Sequence, residues 1–349
     1  MRRFLSTTLL ALFGLGVGTA YAAEARVVEN SDHGLWDDEP RKNVHLLETL
    51  VLGSEAGDDA FGRIVDVAVD SRGRWLVLDA GFSCVKVYHP DSLTMRTIGR
   101  KGEGPGEFNR PTALGIDADD HIYVASAGGR IAVFGPYGQL LDEFRHKFPG
   151  AVVRGLKITA QGTYLACFDA VEDRLVHRYD AQHVFLSSFA DSWSAAASMP
   201  PDEEFAWNGG AIDVDATGCV YSTQMTPYEI RKFSPQGELL LTIHRKNDFK
   251  PPRVERTGGG ATFYPFSASF SILALPDGKI LNVADYVRSN SDVASARTIV
   301  DVYDAEGRLL KSRQLDSHVG IRCLDASGRL YAVEEREVPQ VVKYRLAFQ

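Results

Sequence analysis

The chain has 349 residues, 44% of them hydrophobic and 24% charged, with a formal net charge of −8 at pH 7. An acidic balance without basic runs or interleaved aromatics excludes nucleic acid and anionic membrane surfaces as expected partners. The length provides ample core for one large domain or two ordinary ones.

The chain opens MRRFLSTTLLALFGLGVGTAYAAEA, with Arg2 and Arg3 as a basic n-region and Leu9 to Val17 as an apolar h-region. Ala20-Tyr21-Ala22 then supplies an A-x-A cleavage site, so residues 1–22 read as a secretory signal peptide. The apolar run is too short for a stable anchor, and no later segment approaches the length of a membrane helix. The expected location is periplasmic or secreted, after cleavage near Ala22, with no membrane insertion. Loss of Arg2 and Arg3 moves the net charge from −8 to −10. Residues 23–43 carry much charge and no sustained period, and are expected as a flexible lead-in.

From residue 44 onward the pattern is strand and turn. VHLLETLVLG (44–53) alternates, and two similar stretches follow, LGSEAGDDAFGR and IGRKGEGPGEFNR. Each is a Gly-led polar loop that ends in Phe and Arg, then runs into an alternating strand. A glycine-rich loop cradles phosphate when a helix N-terminus follows it, and here strands follow, so these loops read as blade-to-blade connectors. Asp-x-x-Gly-like turns recur at 70–73, 117–120, 159–162, 215–218, 275–278 and 325–328. After each comes a strand, then a third strand ending in an aromatic: Tyr88, Phe134, Tyr179, Phe233, Tyr303 and Tyr344. Gly and Asp suit such turns because tight hairpins need positive φ or Asx-type bonding.

Six units of four antiparallel strands predict an all-β fold, one six-bladed β-propeller over residues 44–349. The last unit lacks its fourth strand, and residues 44–53 are expected to supply it, closing the ring and removing two sheet edges. The stretch GRKGEGPGEFNRPTALGIDADDHIYVAS, with GGRIAVFGPYGQLLDEF after it, resembles an NHL-type repeat. The whole segment after the leader is similar to secreted bacterial six-bladed propellers of that type. Relatives include protein-binding scaffolds, metal-dependent lactonases and lyases and an amidating lyase, so the fold does not select the function.

That resemblance implies a ligand face built from the blade connectors and the second-to-third-strand loops. The long stretches 190–209, 245–267 and 285–298 would rise on it. Counting ten residues back from each turn places Arg63, Arg110, Asn208 and His318 where the chain enters an inner strand, with Arg154 nearby. Guanidinium groups bind carboxylates bidentately, so this set suits a small anionic or carboxylate-bearing ligand. The competing reading pairs the arginines with acids such as Asp66 or Glu107 and makes them structural. Tyr264, Asp285 and Arg288 would contribute from the long loops.

Catalytic signals are thinner, and no catalytic residue is assigned. Nine histidines occur without H-E-x-x-H or another close ligand pair, so no metal ligand is assigned either. Asp79, Asp169, Asp285 and Glu334 end second strands, where they serve as well for turn capping as for a site. Cys84, Cys167, Cys219 and Cys323 are expected as buried thiols, with Cys84–Cys323 the one bridge that closure would favour. The expected function is a monomeric exported protein that binds a peptide, a protein or a small anionic ligand at its channel mouth. No cofactor is evident. The alternative is a hydrolase or lyase of the lactonase or amidating-lyase propeller type, which would need a divalent metal.

Overall fold

The computed structural model describes residues 25–39, 41–57, 59–89, 95–148, 151–169, 172–192, 209–225, 227–246, 253–257, 260–264, 267–286 and 297–348. Two strands precede the repeats, β1 (Arg26–Asn30) and β2 (Val44–Leu52). Blade 1 holds β3 (Ile64–Val69), β4 (Trp75–Asp79), β5 (Cys84–Tyr88) and β6 (Met95–Ile98). Blade 2 holds β7 (Pro111–Ile116), β8 (Ile122–Ser126), β9 (Arg130–Phe134) and β10 (Leu140–Arg145). Blade 3 holds β11 (Gly155–Thr159), β12 (Gly162–Asp169), β13 (Arg174–Tyr179) and β14 (Phe185–Asp191). Blade 4 holds β15 (Ile212–Val214), β16 (Val220–Gln224), β17 (Glu229–Phe233) and β18 (Leu239–Arg245). A hairpin, β19 (Arg253–Thr257) and β20 (Gly260–Tyr264), comes before blade 5. Blade 5 holds β21 (Ala268–Ala274), β22 (Ile280–Tyr286), β23 (Arg297–Tyr303) and β24 (Leu309–Gln314). Blade 6 holds β25 (Gly320–Leu324), β26 (Arg329–Glu335) and β27 (Pro339–Phe348), with β2 as its outer strand.

The fold is the six-bladed propeller that the repeats predict. β2 pairs antiparallel with β27 from Val44↔Phe348 to Leu52↔Val341, so the first strand after the lead-in completes the last blade. Six buried clusters each straddle two adjacent blades, including one between blades 6 and 1. In that last cluster Trp75 meets Tyr331 edge-to-face at 4.9 Å. Middle strands such as β4, β5, β8 and β9 are buried at every residue because both of their faces meet a neighbouring blade. The six third-strand aromatics are all buried.

Turn chemistry explains the repeat. Asp70, Asp117, Asp215 and Asp325 each accept two backbone N–H bonds on one carboxylate oxygen, at 2.8–3.0 Å, from the residues two and four positions on. The fourth turn residue takes positive φ, 73° at Gly73 and 78° at Gly328. In blade 2 that slot holds Asp120 at φ 63°. Asp120 offsets this strain by accepting Ser71 N and Ser71 Oγ, both at 2.9 Å, which ties the turns of blades 1 and 2.

The lead-in departs from expectation, because residues 26–30 form a strand. β1 lies parallel to β18 as a fifth strand of blade 4, and Leu35 and Trp36 donate N–H bonds to Leu309 and Leu310 of blade 5. The stretch RVVEN is too short to show a period, and its partner strand is more than 200 residues away in sequence. The second glycine-rich connector is closed by its own side chains and by Arg130. Glu107 folds back to accept Gly104 N at 3.0 Å and pairs with Arg100, while Arg130 donates to the carbonyls of Glu103 and Gly104.

Candidate anion site in the central channel

The inner strands β3, β7, β11, β15, β21 and β25 surround a central cavity of about 240 Å³. Much of its wall is apolar, from residues such as Val67, Leu114, Ile158 and Ile272. The charged lining groups are Asp66, Arg154, Lys157 and Arg322. Backbone irregularity places one of them. β25 slips register between Ile321 and Cys323, so Arg322 is an extra residue outside the ladder and its side chain joins the cavity wall. The same slip in β21 puts Phe270 on that wall.

Both acids at the site are already bonded. Asp66 accepts Val67 N at 2.9 Å and Leu114 N at 2.8 Å, the latter from the next blade. Asp213 pairs with Lys157 at 2.9 Å through one oxygen and accepts Ala274 N at 2.8 Å through the other, joining blades 3, 4 and 5. Burial raises the Asp66 carboxyl above its ordinary range, against the pull of Arg322, the two N–H groups and Lys157. Burial opposes the charge on Lys157, but Asp213 outweighs it and holds that ammonium above its usual pKa. Burial alone lowers Arg154. Arg322 makes no hydrogen bond or ion pair among the described residues, and its Nε is buried. Arg322 is thus a wall cation whose charge no bonded carboxylate among the described residues offsets. Chemically, the cavity is a small desolvated space biased toward an anion.

The residues expected from sequence divide. Arg154 lines the cavity. Arg63 and Arg110 do not, being exposed on the connectors without a side-chain bond among the described residues. Their expected structural partners lie elsewhere, since Glu107 serves Arg100 and Asp66 lies in the field of Arg322. His318 and Asp285 come together, Nδ1 to Oδ1 at 2.9 Å, as a link between blades 6 and 5 outside the cavity. Tyr264 ends β20, paired through its backbone with Arg253. Asn208 and Arg288 lie outside the described residues. Asp79 is a capping acid, accepting the N–H groups of Gly62, Arg63, Gly81 and Phe82. Glu334 is buried and bonded to Tyr344 and Arg336. No cysteine among the described residues forms a disulfide.

Lys157 and Arg322 were not singled out by sequence, and neither was Asp213. Counting back from the turns reaches connector residues such as His318, and no residue pattern announces the bulge at Arg322 further along the strand. A second group was also missed: His146, Cys167 and His177 converge between blades 2 and 3. Their separations of 21 and 10 residues follow no ligand motif: the pairing of β12 with β13 brings Cys167 to His177, and the packing of blade 2 on blade 3 adds His146.

No protein-family model and no curated protein sequence matches the chain. Solved structures match its fold. A Bacteroides fragilis protein described as exported superposes with a TM-score of 0.59 at 9% identity, over 93% of this chain and 99% of its own. A member of the DUF4221 family from Bacteroides vulgatus gives 0.59 at 9% identity, over 88% and 99%. A streptogramin B lyase gives 0.54 at 11% identity, over 83% and 81%. The chain is thus a six-bladed β-propeller whose structural neighbours include a protein described as exported and a lyase.

Proposed function

We propose that this protein is an exported binding propeller that takes a small anionic ligand, of the carboxylate or phosphate class, in its central channel. The observation that carries this reading is Arg322, a guanidinium on the cavity wall with no bond from the described residues, beside Arg154 and the Lys157–Asp213 pair. At about 240 Å³ the space suits a small molecule better than a peptide. The leader-like N-terminus and the exported neighbour support a role outside the cytoplasm. The hydrolase or lyase alternative would need carboxylates free to hold a metal in the channel. Asp66 and Asp213 commit both oxygens to backbone N–H groups or Lys157, which leaves them poor metal ligands.

Isothermal titration of the mature protein with mono-, di- and tricarboxylates and inorganic phosphate tests the reading. At least one anion should bind, and Arg322→Ala should weaken it about tenfold, the worth of one hydrogen bond to a charged group. The Arg63→Ala/Arg110→Ala double variant should bind like the parent. If no anion binds, or Arg322→Ala leaves affinity unchanged, the reading fails.

A further inference from the structure

His146, Cys167 and His177 place one donor atom each within 4.8 Å of one another, all three side chains being buried. His146 follows β10 of blade 2, and the other two stand on β12 and β13 of blade 3. His146 Nε2 lies 3.3 Å from Cys167 Sγ. A tetrahedral or trigonal ion with bonds of roughly 2.0–2.3 Å holds its donors roughly 3.5 Å apart, so this pair already has the right separation. The other ring nitrogen of each histidine meets an outer partner. His146 Nδ1 is 2.6 Å from Tyr179 Oη, which also accepts Lys147 N at 2.8 Å, and His177 Nδ1 is 2.9 Å from Ser188 Oγ. Such outer bonds orient imidazoles for metal binding.

We propose that His146, Cys167 and His177 form a binding site for monovalent copper, Cu(I). Two arguments choose the ion. A thiolate with two neutral imidazoles carries one negative charge, which Cu(I) cancels, whereas a divalent ion would leave a net charge buried in a desolvated interior. The thiolate among the three donors also suits soft Cu(I). On binding, the Cys167 thiol releases its proton to solvent and the copper stays monovalent. His177 Nε2, now 3.1 Å from the Cys167 carbonyl, gives up that hydrogen bond to ligate, and its remaining ring proton sits on Nδ1 toward Ser188.

The test is anaerobic titration of the reduced mature protein with Cu(I), in competition with bicinchoninate as the coloured chelator. One equivalent should transfer to the protein, and X-ray absorption should show one sulfur and two nitrogen neighbours. Cys167→Ser and His146→Gln should each weaken binding by about 100-fold or more. Thermal unfolding of the same variants separates loss of the site from loss of the fold, since Cu(I) should raise the melting temperature of the parent and not of a folded Cys167→Ser protein. The proposal is overturned if bicinchoninate keeps all the copper, if Cys167→Ser binds as tightly as the parent, or if one equivalent of zinc displaces Cu(I).

Discussion

The interface between blades 4 and 5 and the central channel both enclose an arginine, and they treat it in opposite ways. Arg245 gives Nη1 to both oxygens of Asp301 at 2.5–2.6 Å, and Tyr228 donates to the same carboxylate at 2.8 Å while meeting Tyr303 at 2.7 Å. Burial and the Asp301 charge push both phenols well above their ordinary pKa, so this network is neutral or matched at every member. Arg322 stands on a cavity wall with no such partner. A charge consumed by the fold holds blades together, and one left facing a cavity is available to a ligand.

The largest expected effect lies on the structural side. Asp301→Ala strands Arg245 and should cost about 3–5 kcal/mol in denaturant unfolding. A loss below about 1 kcal/mol would mean that the network is not the clamp described here. Next comes the channel's own ion pair. Asp213→Ala removes the partner of a partly exposed Lys157 and the acceptor for Ala274 N, and should cost about 2 kcal/mol by the same measurement. Arg322→Ala should invert this pattern, with little change in unfolding and about a tenfold loss of anion affinity. If it unfolds the protein instead, Arg322 belongs with Arg245 and the contrast collapses.

The smallest effect is a pH dependence at the rim. Asp285 raises the His318 pKa through its hydrogen bond, against burial. A raised folded-state pKa adds stability that is complete below the unfolded value near 6.5 and fades as pH climbs through the folded one. His318 is more than half exposed, so the contribution is small. NMR titration should show its pKa fall in Asp285→Asn, and an unchanged titration would remove the pair from the description.

Local turn chemistry made the fold readable. In four of the six turns an Asp caps N–H groups two and four residues on, and the positive-φ residue that follows it precedes a buried aromatic by 14–16 residues, so both signals are local. The channel is not local. Arg154 was found because it flanks an inner strand, but Arg322 reaches the cavity through a register slip, and Lys157 matters through Asp213 on another blade. Arg63 and Arg110 occupy the same counted position as each other, and both end up exposed on connectors. The β1 strand escaped notice for the same reason as the His146–Cys167–His177 cluster, since each depends on strands brought together by the ring.

The most direct measurement is the anomalous difference map of a crystal soaked in selenate, an oxyanion whose selenium locates itself. The account predicts a peak in the central channel within hydrogen-bond reach of Arg322 and Arg154, absent from crystals of Arg322→Ala. Selenate at Arg63 and Arg110 on the connectors, with the channel unchanged, would contradict it.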